Sequence, residues 1–254
     1  MNSIDLEKAH WKELEHLAID MAILPWGATE PHNRHLPYGT DTLCSRAVAL
    51  EAVARIPEDS PLSIAVLPAM PYGVNTGQRD LNLCISIRPS LQYRLLEEIA
   101  LTLREQKIPK LMIVNGHGGN NFKPLLRELQ QNVPELFCCF TNWWTLKDGD
   151  EYFREQGDHA GELETSVMQY LYPELVLPLS EAGKGASRGF RPAGLSSRAV
   201  WAPREWTKVS SDTGVGNPAA SSPLKAERFF TDAAKTLATY IADIAATDNS
   251  DLYE

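Results

Sequence analysis

The chain has 254 residues, of which 43% are hydrophobic and 22% charged. That length suits one large α/β domain or two small ones with a sizeable core, and the composition excludes disorder, collagen-like repeats and coiled coil. With 33 acidic and 24 basic residues the formal net charge is −9, which argues against the phosphate-seeking surface of a nucleic-acid binder.

No basic-then-apolar leader opens the sequence, and no stretch approaches the roughly 18 apolar residues of a membrane span. Cys44, Cys84, Cys138 and Cys139 form no C-x-x-C pair. Reduced thiols, a cytoplasmic location and no membrane partner are the expectation.

Asp5 to Leu17 is polar with helix-like leucine anchors. Met21–Trp26 is a short apolar run suited to a buried strand. A polar loop, Gly27 to Thr40, leads to a helix from Asp41 to Arg55, with Thr40 or Asp41 as its N-cap. Ser63–Leu67 reads as a second strand. Pro89 to Gln106 is an amphipathic helix with proline in its first turn. Lys110–Val114 is a third strand, Asn121 to Val133 a helix, and Leu136–Thr141 a fourth strand. Ala160 to Leu171 and Pro223 to Ala246 are helices. Between the last two, residues 178–222 are rich in Gly, Ser, Pro and Arg. They read as an insertion of loops and short strands within a single domain covering 1–254, with a lid or an oligomer contact both open. Short strands, apolar on both faces and alternating with helices, indicate a parallel sheet covered on two sides. Ligands in such sheets bind beyond the carboxyl ends of the strands.

Three polar clusters follow strands or open helices. The first is Glu30-Pro-His32-Asn-Arg-His35-Leu-Pro-Tyr-Gly-Thr-Asp41. Glu30 and His32, two apart, share a face of an extended segment. Imidazole and carboxylate together suit zinc, manganese or ferrous iron. A carboxylate can bridge two ions, and Asp41 is the candidate bridge. The second is Asn115-Gly-His117-Gly-Gly-Asn120, either a glycine cradle for an anion or a loop presenting His117 to a metal. The third is Asp158-His159-Ala-Gly-Glu162-Leu-Glu164-Thr-Ser166. His159 lies near the positive end of a helix, which favours a neutral imidazole able to take a proton. Glu162 and Glu164 sit about 200° apart on that helix, so at most one points into a site.

Together these segments resemble the creatininase (creatinine amidohydrolase) family. The pattern is Gly27-Ala-Thr-Glu30-Pro-His32, His35-Leu-Pro-Tyr-Gly-Thr-Asp41, Asn115 to Asn120, and His159-Ala-Gly-Glu-Leu-Glu164-Thr-Ser166. The match runs over most of residues 20 to 175. The resemblance implies a three-layer α/β/α sandwich with a mostly parallel central sheet and two divalent metal ions, zinc first, with manganese or iron as alternatives. Glu30, His32, Asp41 and His117 would be ligands, with Asp41 bridging. In creatininase itself a further Glu lies two residues after the loop histidine; here that position is Gly119, and Glu164 is the substitute. His159 would be the acid/base residue.

The implied activity is hydrolysis of a non-peptide C–N bond by attack of a metal-bridging hydroxide. The Gly119 departure points away from creatinine and toward a cyclic amide, formamide or small amide as the small-molecule substrate. Trp143 and Trp144 would form one wall of the pocket, with Gly118, Gly119 and Asn120 beside the substrate. Arg34 would contact an anionic substrate group or point to solvent. The family forms homo-oligomers, often hexamers. The rival expectations are a non-catalytic phosphate- or nucleotide-binding module using Gly116 to Asn120, and an inactive metal-bound scaffold.

Overall fold

Alternating β-strands and α-helices build the chain, described over residues 3–253 by a computed structural model. In order these are β1 (Ser3–Asp5), α1 (Trp11–Leu14), β2 (Met21–Trp26), α2 (Thr40–Ala54), β3 (Ile64–Val66), α3 (Pro89–Glu105), β4 (Lys110–Asn115), α4 (Phe122–Asn132), β5 (Phe137–Asn142), α5 (Glu162–Leu171), α6 (Ala193–Ser196), α7 (Trp206–Val209) and α8 (Pro223–Ala246). The five strands pair in the order β1-β3-β2-β4-β5, every pair parallel.

The period-2 geometry of a strand explains the layers. In β2, Met21 and Ile23 join Ile64, Val66, Met112 and Val114 in one core, covered by α2, α5 and α8 through residues such as Val48, Val167 and Phe229. The intervening Ala22, Leu24 and Trp26 join Leu111 and Ile113 in a second core under α3 and α4, through Leu96, Phe122 and Leu129. The sheet is therefore buried on both faces, and the three-layer sandwich follows. From β2 the chain moves outward to β3, then returns to the other side of β2 for β4. The direction of winding switches between β2 and β4, whose carboxyl ends lie side by side with Trp26 opposite Asn115. That is where a doubly wound sheet opens a crevice for ligand.

Three expectations need correction. Residues 5–17 are not one helix: Ser3–Asp5 pairs with β3 as an edge strand, and only Trp11–Leu14 is helical. Pairing with the sheet outweighs the local helix preference. The α2 N-cap is Gly39, without a side-chain cap, so Asp41 sits in the first turn and its carboxylate is free for other work. Residues 178–222 hold the four-residue helices α6 and α7 and two 3₁₀ turns, and among the described residues no strand, but isolated bridges from Ser187 to Ser210 and from Val215 to His159. The four cysteines are free thiols, and no helix is long and apolar enough to cross a membrane.

Candidate metal centre

The polar clusters converge at the β2–β4 crevice. Glu30 and His32 come from the loop after β2, Asp41 from the first turn of α2, and His117 from the loop after β4. Glu164 comes from the first turn of α5 and His159 from the segment just before that helix. An antiparallel bridge to Val215 holds the His159 backbone, with His159 N donating to Val215 O at 3.0 Å and Val215 N returning to His159 O at 2.8 Å. Glu30, His32, Asp41, His117 and His159 are all buried.

The outward ring nitrogen of each histidine meets a main-chain carbonyl. His32 Nδ1 lies 3.1 Å from Glu30 O, His117 Nε2 3.2 Å from Val74 O, and His159 Nε2 2.8 Å from Pro31 O. A carbonyl only accepts, so each outward nitrogen carries the proton and the inward nitrogen is left for the site. The inward atoms meet carboxylates: His32 Nε2 is 3.0 Å from Asp41 Oδ1. His117 Nδ1 is 2.7 Å from Glu30 Oε1 and 3.1 Å from Asp41 Oδ2. His159 Nδ1 is 3.8 Å from Glu30 Oε1. Asp41 Oδ2 is buried without a hydrogen bond.

These atoms form two potential ligand groups that share Asp41: Glu30 with Asp41 and His117, and His32 with Asp41 and Glu164. Within each group the ligand atoms lie within 4.8 Å of one another. A third, overlapping group joins Glu30, His32 and His159.

Electrostatics marks the place for a cation. Among the described residues no lysine or arginine pairs with Glu30, Asp41 or Glu164. Burial would lower His32, yet the charge and hydrogen bond of Asp41, aided by Glu164 and Glu30, push it up to about 10. Burial likewise opposes protonation of His117, and Glu30 and Asp41 overcome it and raise it well above its usual range. Burial raises Glu164. Burial would also raise Glu30, but His117, His159 and His32 hold it well below the usual carboxylate range. Without a metal, imidazolium ions must balance the carboxylates. Divalent cations would replace those protons, with N and O donors of the kind zinc and manganese take. The residues present fit the group.

A family model described as creatinine amidohydrolase matches residues 7–241. The chain belongs to the creatininase family. Members of this family are metal-dependent hydrolases. A chain from Bacteroides fragilis NCTC 9343, assigned as a creatinine amidohydrolase, is 41% identical over the full length of both chains, with a TM-score of 0.93. The mycofactocin precursor peptide peptidase of Mycobacterium tuberculosis CDC 1551 is 31% identical over 218 residues, 82% of this chain and 79% of that protein. The manganese form of creatininase is 22% identical over 96% of this chain and all of its own, with a TM-score of 0.79, and shares the fold.

Within this creatininase-family site, Glu164 and Glu162 part as their helical spacing requires. Glu162 is buried and committed: it accepts from Arg154 N at 2.8 Å, Glu155 N at 2.7 Å and Lys225 Nζ at 2.5 Å. Glu164 turns toward His32 and Asp41. Gly119 has no room for a side chain, because a Cβ there would lie 2.3 Å from both His117 Nε2 and Val74 O. Any larger residue at 119 would displace the hydrogen bond that orients His117.

A cavity of about 530 Å³ opens over the cluster, within the roughly 300–1,000 Å³ usual for small-molecule sites. Gly118, Gly119 and Trp144 line it. Three expected substrate contacts do not. Trp143 is buried in the core, with its ring 6.1 Å from Phe229. Arg34 is exposed and lies outside the cavity wall. Asn120 is spent on structure: its side chain accepts from Val74 N at 3.1 Å and Gln92 Nε2 at 2.9 Å, and donates to Gly27 O at 3.2 Å.

Other residues complete the site. Gln78, in the loop after β3, donates its side-chain amide to Glu30 Oε2 and leaves Oε1 facing the histidines. From the 178–222 segment come Trp201, Ala202, Pro203, Arg204 and Trp206, all lining the cavity. Trp206 meets the His159 ring edge-on at 5.3 Å. The only sequence signal for these was position: a loop after a strand end for Gln78, and an insertion near the site for the others.

Proposed function

We infer that this protein is a dinuclear metal-dependent amidohydrolase that cleaves the C–N bond of a small amide. The observation that carries this reading is the sharing of Asp41 between two ligand groups, one of its oxygens beside His32 and the other beside His117. Glu30, Asp41 and His117 would hold one ion; His32, Asp41 and Glu164 would hold the other. Zinc is the first choice, with manganese or iron as alternatives. Bound there, the ions supply Lewis-acid polarisation of an amide carbonyl and lower the pKa of water toward neutrality.

The chain's own residues do the rest. His159 is anchored at Nε2 by the Pro31 carbonyl and backed by Trp206, so Nδ1 faces the cavity. That atom takes a proton and returns it to the departing nitrogen. Gln78 fixes the Glu30 carboxylate. Trp144, Trp201 and Trp206 line the cavity. The substrate is a cyclic amide, a formamide or a short peptide-like amide. The last is supported by the peptidase name of the mycobacterial relative. A phosphate-binding role for Gly116 to Asn120 draws no support, because the loop's His117 faces two carboxylates that would repel an anion.

The test is hydrolysis of a panel of cyclic amides, formamides and short peptides by zinc- or manganese-loaded protein. Turnover that chelation abolishes and metal restores supports the reading. Metal-independent turnover, or none across the panel with both metals bound, contradicts it.

A further inference from the structure

Among the described residues, the lining of the cavity carries six acidic side chains and one arginine, Arg204. Four of the acids are Glu30, Asp41 and Glu164, in the ligand groups, and Glu162, bound by Lys225 and two backbone amides. The other two, Glu155 and Asp158, are exposed at the rim. Arg204 therefore stands out as the one permanent cation a ligand meets.

Its placement is fixed. The guanidinium stacks over Trp206, 4.5 Å from the ring, and that ring meets His159 in a T-shaped contact at 5.3 Å. Trp206 is itself held by its Nε1 donating to Thr213 O at 2.8 Å. The Arg204 main chain packs flush on Gly77, where a Cβ would come within 1.8 Å of Arg204 O. Thr207 adds a hydrogen bond to Asp80 at 2.7 Å. The arginine is thus pinned to the same loop that carries Gln78 to Glu30. Stacking on an aromatic face restrains a guanidinium and leaves its donor edge free for a planar anion.

That edge is partly taken. Asp158 accepts from Arg204 Nη1 at 2.8 Å, with 37% of the arginine side chain and 50% of the aspartate exposed. An ion pair this exposed is weak and readily exchanged. A second carboxylate, arriving with a substrate, can replace Asp158 and bind bidentately.

We propose that Arg204 is a specificity-determining residue that binds the carboxylate of the substrate, so that the preferred amides carry a carboxylate a few bonds from the scissile C–N bond. Arg204 and His159 both contact the Trp206 ring, at 4.5 Å and 5.3 Å, so the anion-binding edge and the acid/base residue are gathered at one aromatic side chain. The anion contact expected at Arg34 is thereby relocated to the 178–222 segment. The assignment rests on the hydrolase reading for the reaction, while recognition stands on the cavity wall alone.

Calorimetric titration of the metal-loaded protein with N-acetylglycine and its neutral counterpart N-acetylglycinamide tests recognition. The wild type should bind the carboxylate at least tenfold more tightly. Arg204→Gln should abolish that preference and Arg204→Lys should keep part of it. Asp158→Asn, which removes the internal competitor, should tighten carboxylate binding severalfold. A wild type without preference, an Arg204→Gln variant that keeps it, or an Asp158→Asn variant that weakens it overturns the proposal. Hydrolysis of the same pair separates the two readings. Chelator-sensitive turnover without carboxylate preference removes the role of Arg204 and leaves the hydrolase, whereas preference without turnover does the reverse.

Discussion

Asp41 Oδ1 lies 3.0 Å from His32 Nε2, with both side chains buried. The contact joins the first turn of α2 to the loop after β2, and it orients Asp41 so that Oδ2 turns to the other ligand group. A carboxylate placed this way serves both groups at once, so its loss should damage both. Asp41→Asn keeps the shape and removes the charge. It should lower bound metal below the wild-type level and cut turnover by more than the roughly 10–100-fold that loss of a ligand's hydrogen-bond partner costs. Metal analysis with steady-state kinetics checks this; full metal occupancy in the variant would show that Asp41 is not shared.

Gln78 acts on Glu30 without being a ligand. Gln78→Ala frees Glu30 Oε2 and leaves a buried carboxylate oxygen short of a donor. Metal affinity or turnover should fall roughly 10–100-fold. Competition with a chromophoric chelator measures the affinity.

His159→Gln should reduce turnover by a factor of roughly 10²–10⁴, the usual range for general acid–base catalysis, while the metal content stays at the wild-type level. A parallel loss of metal would instead make His159 a ligand with Glu30 and His32, the third group the geometry allows.

His35 connects the motif loop to α5 through Thr165 Oγ1, 2.8 Å from its Nε2. Burial, with charge on His32 adding and Asp212 opposing, lowers it from 6.5 to about 4. The folded state therefore holds the ring neutral while the unfolded chain protonates it below about 6.5. Its stabilisation is complete above that pH and lost as pH falls toward about 4, up to roughly 3 kcal/mol. Urea denaturation at pH 7.5 and pH 5 should show a steeper fall for the wild type than for His35→Gln. Equal slopes would remove His35 from the acid response.

The sheet and most of the candidate ligand set were legible because their signals are local. Met21–Trp26 and Lys110–Asn115 are short apolar runs flanked by turn residues, and loops at parallel strand ends gather ligands. Glu30, His32 and His117 occupy such loops and Asp41 the helix turn that follows one, and the 200° between Glu162 and Glu164 already separated a ligand candidate from a structural acid. What the sequence hid depends on tertiary direction. Nothing local tells that Trp143 turns into the core while Trp144 reaches the cavity, or that Arg34 faces solvent. Asn120 looks like a ligand-loop residue until four backbone and side-chain groups claim its amide. Gln78, Arg204 and Trp206 lie in segments without periodicity, and their partners are distant in sequence. The edge strand Ser3–Asp5 is too short to leave a strand pattern of its own in the sequence.

Metal stoichiometry tests the central claim most directly. Protein stripped with a chelator, titrated with zinc and followed by calorimetry and elemental analysis, should take up two equivalents per chain, with Asp41→Ala unable to fill both sites. Saturation at one equivalent or fewer in the wild type, or two tightly held equivalents in Asp41→Ala, would contradict a dinuclear centre built on Asp41.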